Sequence, residues 1–162
     1  MLDKDITILF VDDEVSVLRS LKRYLIREPY IFLFAHNGVE ALEMMKKQIV
    51  HIVVTDMKMP GMDGLELLKK IKTRYPDTMR LVLSGFSQVS SIVWAINSGE
   101  IYRYITKPVT PELLKQTLSD AVDFYLLKHD RKQLVDSLKE RNHELSQAIE
   151  EKDSAQKKLG HA

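Results

Sequence analysis

The chain has 162 residues, of which 24 are lysine or arginine, 23 are aspartate or glutamate and none is cysteine. This length accommodates one domain with a modest extension, and the lack of cysteine excludes a disulfide framework and a thiolate zinc site. The balanced charge lacks the basic excess that phosphate-backbone binding requires, and there is no secretory leader or long apolar run. We therefore expect a cytoplasmic protein with no nucleic-acid partner and no membrane association.

Five short apolar runs predict five β-strands that are buried on both faces of a parallel sheet. Four segments with apolar residues at helical spacing separate them, and turn signals such as Asn37-Gly38 and Asp63-Gly64 mark where the helices begin. Strand and helix alternate along the chain, which predicts an α/β fold: a doubly wound parallel sheet with right-handed crossovers. The predicted strands cover residues 6–11, 30–35, 52–55, 80–83 and 101–105.

Polar residues follow four of the predicted strands: Asp12 and Asp13, then Asp56, Ser84 and Lys107. Because the carboxyl ends of parallel strands meet at one edge of the sheet, we expect these side chains to lie together. Carboxylates in an incomplete protein cage suit Mg²⁺, which keeps several waters and accepts phosphate oxygens. The alternative is that the acids only cap a helix or end a strand.

A hydroxyl and an ammonium beside the acids predict phosphoryl chemistry. Negative charge spreads over the equatorial oxygens of a phosphoryl group in transfer, and Ser84 and Lys107 are suited to stabilise that charge. An aspartate nucleophile would form an acyl phosphate, which a small domain can use as a signal. Taken singly, Ser84 also fits an ordinary turn and Lys107 a solvated surface residue.

The motifs around these positions resemble those of response-regulator receiver domains of two-component signal transduction. The resemblance covers about residues 5–125 and implies a flavodoxin-like fold with strand order 2-1-3-4-5 and five helices, the last of them extended. We accordingly expect a receiver domain over residues 1–125 and a helical coiled-coil extension or linker over 126–162. The matching segments read ILFVDDE at 8–14, VTDMKMPGMDG at 54–64, LSG at 83–85 and YITKPV at 104–109.

The resemblance implies a role for each acid. Asp56 would accept the phosphoryl group from a histidine kinase or a phosphotransfer protein. Asp12, Asp13, Asp56 and the backbone carbonyl of Lys58 would hold Mg²⁺.

The resemblance also implies a switch near the phosphoryl group. Ser84 and Lys107 would bind its oxygens, and Ser84 would report the phosphorylated state to Tyr104, although Tyr104 could equally be a half-buried strand aromatic. The Lys107-Pro108 peptide bond is expected to be cis. Phe86 is expected to slow self-dephosphorylation, and Trp94 either belongs to an interaction surface or packs in the fold.

The last predicted helix begins at Thr110-Pro111-Glu112 and contains neither glycine nor proline after Pro111 until Gly160, too long for a compact domain. Beyond about Lys128 the apolar period changes to heptads, which predicts a dimerising coiled coil, with a solvated single helix or linker as the alternative. The residues expected to pack on the sheet are Leu113, Leu114, Leu118, Ala121 and Val122. The a and d positions are Val135, Leu138, Asn142, Leu145, Ile149 and Leu159, with Lys152 and Gln156 as polar interruptions.

These features together predict a phosphoacceptor response regulator that switches a dimer or an output domain beyond residue 162. Either the chain is a fragment of a longer protein, or it acts alone through partners. It would not be an enzyme beyond its own phosphorylation and dephosphorylation. A receiver-like interaction module without phosphorylation is one alternative, but such a module would be expected to lack Asp56, an acid of the pair or Lys107. An aspartyl-phosphate phosphatase is less favoured because its second acid would stand at position 58, where this chain has lysine.

Overall fold

The computed structural model describes residues 1–85, 89–97, 99 and 101–160. Phe86 lies outside the described residues, and so does the side chain of Trp94, so the roles predicted for them stay predictions. Strands and helices alternate as expected within the described residues. The strands are β1 (Thr7–Val11), β2 (Ile31–Ala35), β3 (Ile52–Asp56), β4 (Met79–Ser84) and β5 (Arg103–Thr106). The helices are α1 (Val15–Tyr24), α2 (Gly38–Lys47), α3 (Gly64–Arg74), α4 (Val89–Asn97) and α5 (Pro111–Gly160).

The five strands form one parallel sheet in the order β2-β1-β3-β4-β5, which confirms the predicted flavodoxin-like fold. The central strands β1 and β3 are buried along their whole length, as their continuous apolar sequences predict. Strand β5 begins two residues later than expected. Ile101 is buried and extends the apolar run, but its N–H donates to the carbonyl of Ala95 at 3.3 Å and not to a neighbouring strand.

Helices α2 and α3 cover one side of β1 and β3, and a second core cluster joins α3 and α4 to β4. In the first cluster Leu9 and Val53 pack with Leu42 and Ile71. In the second cluster Val82 of β4 packs with residues of α3 and α4. Burial of apolar surface of this kind contributes about 25 cal/mol per Å² to folding. The clusters fix the sheet whose carboxyl edge carries the polar residues.

Side-chain caps start α2 and α3 where the sequence predicts. The Asn37 side chain accepts a hydrogen bond from the N–H of Glu40, and the Asp63 side chain accepts one from the N–H of Glu66, each at 2.8 Å. These bonds satisfy amides that have no partner inside the helix. The second cap sets the start of α3 close to the end of β3.

Helix α5 is continuous from Pro111 to Gly160, and the chain divides into two compact units, Met1–Tyr125 and Leu126–Ala162. The prediction that Leu113 packs on the sheet is wrong, because its side chain is 46% exposed. Leu113 lies at the edge of the buried helical stripe, about 100° of helical rotation from Leu114. The buried residues are Leu114, Thr117, Leu118, Ala121 and Val122. Among the described helices, none combines the length and apolar character needed to cross a membrane.

Candidate metal and phosphoryl site

The register of the sheet brings two of the acids side by side. Val11 of β1 pairs with Thr55 of β3. The residues that follow them, Asp12 and Asp56, therefore lie at the same level of the carboxyl edge of the sheet. Asp12 is fully buried and Asp56 is 7% exposed, whereas the neighbouring Asp13 is exposed. The register alone therefore places two carboxylates in a poorly solvated position.

Strands β4 and β5 place Ser84 and Lys107 at the same edge. Ser84 pairs with Thr106, and the N–H of Lys107 donates to the Ser84 carbonyl at 2.8 Å. The Lys107-Pro108 peptide bond is cis, as expected. The Lys107 ammonium lies 3.1 Å from Asp12 Oδ2 and 3.2 Å from Asp56 Oδ1. The structure thus joins one lysine to two acids that the sequence places on different strands.

Three carboxylates can present oxygen atoms to a single cation. Asp12, Asp13 and Asp56 each offer one oxygen, and these oxygens lie within 4.8 Å of one another. Hard oxygen donors of this kind fit Mg²⁺, which binds carboxylates and fills the rest of its coordination shell with water and phosphate oxygens. The side chain of Lys58 is exposed, two residues after Asp56.

The charges at this edge shift the pKa values of two groups. Burial, and after it the negative charge of Asp12, raises the pKa of Asp56 above its ordinary value, although Lys107 and the Met57 amide oppose the shift. Burial alone would lower the pKa of Lys107, but the hydrogen bond and charge of Asp12, together with Asp56, outweigh it, so that pKa is raised. Lys107 is therefore held as an ammonium, and the acids carry more negative charge than one lysine balances.

A purely structural role for Asp12, at the start of a helix or the end of a strand, explains only one of its two side-chain contacts. Its Oδ1 accepts a hydrogen bond from the N–H of Glu14 at 2.9 Å, which stabilises the turn into α1. Its Oδ2 accepts from Lys107, which directly follows β5 and lies 95 residues away in the sequence. A turn residue has no need of the second contact, so Asp12 belongs to the site as well as to the turn.

The start of α3 approaches Asp56 so closely that only glycine fits at position 64. A Cβ on Gly64 would overlap the carbonyl oxygen of Asp56 and lie 2.8 Å from the Cα of Met57. The N–H of Gly64 donates to the Met57 carbonyl at 2.8 Å, and the N–H of Met57 donates to Asp56 Oδ1 at 2.9 Å. The sequence predicts Gly64 as part of a helix start and of the motif at 54–64, but it does not predict the close approach of Gly64 to the Asp56 carbonyl.

Ser84 lies at the site, but its hydroxyl is engaged with the backbone. Ser84 is fully buried, and its Oγ donates to the carbonyl of Gly85 at 2.9 Å. Tyr104 is partly buried and packs against the core cluster that contains Val82 and Ile92. The structure thus groups Asp12, Asp13, Asp56 and Lys107, with Ser84 and Tyr104 on the adjacent strands.

Comparison with known proteins identifies the family to which the domain is similar. A family model described as the response regulator receiver domain matches residues 8–119. The hydrogenase transcriptional regulatory protein HoxA of Bradyrhizobium diazoefficiens is 38% identical over 124 residues, which are 76% of this chain and 25% of that protein. A chemotaxis protein CheY homolog of Campylobacter jejuni is 34% identical over 119 residues, which are 71% of this chain and 91% of that protein.

A solved structure shows the same fold. The crystal structure described as adenylate cyclase from Rhodopirellula baltica superposes with a TM-score of 0.77 and 30% sequence identity, covering 81% of this chain and 97% of that chain. The chain spans about a quarter of the length of HoxA but most of the length of the CheY homolog. The shared region is therefore the α/β domain that carries the acids.

Proposed function

This chain belongs to the family of response-regulator receiver domains of two-component systems, and from that premise we propose that Asp56 accepts a phosphoryl group. The observation that supports this most strongly is the Lys107 ammonium within 3.2 Å of two buried acids, Asp12 and Asp56. A buried group of acids with a fixed cation beside it is costly to maintain for stability alone. It is well arranged for stabilising a phosphoryl group in transfer.

In the proposed reaction the Asp56 carboxylate attacks the phosphorus of a donor. An O–P bond forms to Asp56, the bond from phosphorus to the donor's leaving group breaks, and the product is an acyl phosphate. The Lys107 ammonium, already beside Asp56 Oδ1, pairs with the added negative charge. Asp12, Asp13, Asp56 and the Lys58 carbonyl would hold Mg²⁺, which when bound neutralises charge on the phosphoryl oxygens.

Phosphorylation would then be read by Ser84 and Tyr104. The Ser84 hydroxyl would leave the Gly85 carbonyl and donate to a phosphoryl oxygen, which is a stronger, charged acceptor. That movement would free space beside the core cluster for the Tyr104 ring to turn inward. A local gain of charge would in this way bias a two-state element.

The proposed partners follow from the family and from α5. A histidine kinase or phosphotransfer protein in the cytoplasm would supply the phosphoryl group. We assign the receiver to residues 1–125 and a helical extension to 126–162, through which a homodimer would form. An output domain beyond residue 162 would fit relatives such as HoxA, of which this chain matches only a part.

The test is incubation of the full chain with Mg²⁺ and a small phosphoryl donor such as acetyl phosphate, followed by intact-mass measurement. The expected result is a gain of one phosphoryl group that Asp56→Asn abolishes. Asp63→Asn is the matched control, because it removes a carboxylate from the same loop but keeps a side-chain oxygen that caps α3. No gain in the wild type would favour an interaction module without phosphorylation, and sustained hydrolysis of varied phosphate esters would favour a phosphatase.

A further inference from the structure

The described residues of the second unit carry an exposed apolar stripe. Every described residue from 131 to 160 is exposed. Leu138 is 53% exposed, Leu145 is 53% exposed and Ile149 is 61% exposed. In the continuous helix α5 these residues recur at heptad spacing and therefore lie along one face. Two further exposed leucines, Leu127 and Leu134, occupy the adjoining g positions and widen the stripe at its start.

The charges of this segment indicate a protein partner and not a lipid surface. Residues 131–160 contain seven basic and six acidic side chains. A helix that lies on an anionic membrane has a predominantly basic polar face, because basic residues are attracted to the lipid headgroups. A nearly neutral, mixed-charge face suits the solvated outer surface of a coiled coil.

The side chains at the a and d positions indicate the number and direction of the strands. The a positions carry β-branched Val135 and Ile149, and the d positions carry Leu138 and Leu145. This distribution favours parallel two-stranded coils, whereas isoleucine at both positions, or leucine at a with isoleucine at d, favours trimers and tetramers. The sequence of the stripe therefore selects a parallel pair.

Asn142 indicates that the partner is a second copy of this chain in the same register. It occupies the a position between Val135 and Ile149, where a partner leucine would leave its amide without a hydrogen bond in an apolar seam. Opposite its own copy, each amide can donate to the other, which is the arrangement by which a single a-position asparagine specifies register. Among parallel homodimers, only the unshifted register aligns the two residues.

We propose that residues 135–159 of α5 form a parallel, in-register two-stranded coiled coil with a second copy of this chain, with Asn142 facing Asn142. This inference rests on the dimer proposed above and gives its partner, direction and register. Lys152 at d and Gln156 at a weaken the seam toward its end, so the association is centred on the heptads around Asn142.

The test uses single cysteines, which the cysteine-free chain makes unambiguous. Leu138→Cys and Ile149→Cys place a thiol in the seam, and Glu140→Cys, at the outward f position, is the matched control. In a parallel in-register pair each seam residue faces its own copy, within the spacing that a disulfide bridges. An antiparallel pair has only one such level, and residues 138 and 149 are about 16 Å apart along the helix.

The expected result is efficient disulfide dimerisation of both seam variants in the full chain under mild oxidation, and at least a tenfold lower rate for Glu140→Cys. Crosslinking of only one seam variant would indicate an antiparallel pair, and equal rates for all three would indicate no fixed seam; either overturns the proposal. The mass of the reduced protein in solution tests the homodimer separately from its direction and register. A mass of 18.7 kDa contradicts the homodimer itself, whereas twice that mass with the wrong crosslinks contradicts only direction and register.

A second variant tests the role of Asn142 independently of crosslinking. Asn142→Val replaces the polar layer with a β-branched residue, so the dimer should unfold at a higher temperature and lose part of its preference for a single register. To detect this loss, an Asn142→Val chain that carries Leu138→Cys is mixed with an Asn142→Val chain that carries Leu145→Cys. A disulfide between the two different chains would report a register shifted by one heptad. An unchanged or lower unfolding temperature would show that Asn142 lies outside the seam and would overturn the proposal.

Discussion

The Lys107 ammonium lies 3.1 Å from Oδ2 of Asp12, a residue that is fully buried and 95 positions earlier in the chain. The contact joins the end of β5 to the end of β1 across the carboxyl edge of the sheet. Because Asp56 lies between these strands on β3, the same ammonium also reaches Asp56 Oδ1 at 3.2 Å. The lysine therefore links the proposed metal ligands to the proposed phosphoryl acceptor.

Replacement of Lys107 by methionine should destabilise the protein and impair phosphorylation. The change leaves the buried carboxylate of Asp12 with less compensation, which costs roughly 1–3 kcal/mol and lowers the unfolding temperature by about 2–4 °C for each kcal/mol. Thermal unfolding by circular dichroism measures the first effect and the yield of phosphorylated protein the second. Lys69→Met, which removes an exposed lysine from α3, is the control. Identical unfolding temperatures for the two variants would contradict the account of Lys107.

Replacement of Asp56 by asparagine should stabilise the protein at neutral pH in the absence of Mg²⁺. Burial and the charge of Asp12 raise the pKa of Asp56, so the folded protein binds a proton at this carboxyl more tightly than the unfolded chain does. The stability from this group is complete below its ordinary pKa of 3.8 and is lost as the pH rises through the higher folded value. The neutral amide of the variant avoids that loss.

The unfolding temperature of Asp56→Asn should exceed that of the wild type most near pH 7, and the difference should shrink as the pH falls toward 3.8. Scanning calorimetry between pH 4 and pH 8 in a chelating buffer measures it. Asp63→Asn, which removes an exposed carboxylate from the same loop, is the control. A variant that is less stable than the wild type at pH 7 would show that Asp56 is not under electrostatic strain.

Replacement of Gly64 by alanine should directly disturb the backbone at Asp56 and Met57. The new Cβ would overlap the Asp56 carbonyl oxygen, and neither backbone segment can move freely because Gly64 and Met57 are hydrogen-bonded to each other. Overpacking of this kind costs about 1–3 kcal/mol. Denaturant unfolding and phosphoryl incorporation should both report a loss. Gly160→Ala is the matched control, since a Cβ there meets no atom within 4 Å, and it should behave as wild type.

Phosphorylation should change the environment of the Tyr104 ring through Ser84. In the wild type, the ring resonances of Tyr104 in the NMR spectrum are expected to shift when Asp56 is phosphorylated, as the Ser84 hydroxyl leaves the Gly85 carbonyl. Ser84→Ala removes the hydroxyl and should reduce the shift while leaving incorporation measurable. A full-size shift in Ser84→Ala, or no shift in the wild type, would remove Ser84 and Tyr104 from the proposed switch.

The sequence predicted the fold well because most elements carried a local signal and because strands and helices alternated along the chain. The buried run from Thr7 to Val11 could pair only within a two-sided sheet, and Asn37 and Asp63 marked the starts of two helices by a mechanism that acts locally. The errors arose where a local signal was incomplete. Ile101 extended an apolar run without joining the ladder, because its N–H is bonded to α4. Leu113 is apolar but exposed, because it lies at the edge of the buried stripe of α5.

The site could be predicted as a grouping but not as a geometry. Parallel strands end at one edge, so the gathering of Asp12, Asp56 and Lys107 followed from the fold alone. The choice of Asp12 as the closest partner of Lys107 depends on side-chain conformation, which spacing does not contain. The same holds for the Ser84 hydroxyl on the Gly85 carbonyl and for the close approach of Gly64, because both arise from backbone packing between elements.

The most direct test of the central claim is to locate the phosphoryl group on the chain. The full protein is phosphorylated with Mg²⁺ and acetyl phosphate, the acyl phosphate is reduced with borohydride, and the modified residue is identified by tandem mass spectrometry. The account predicts one modified residue, Asp56, and none when Mg²⁺ is removed by chelation. Modification at another residue, or Asp56 unmodified under conditions in which a control receiver is phosphorylated, would contradict it.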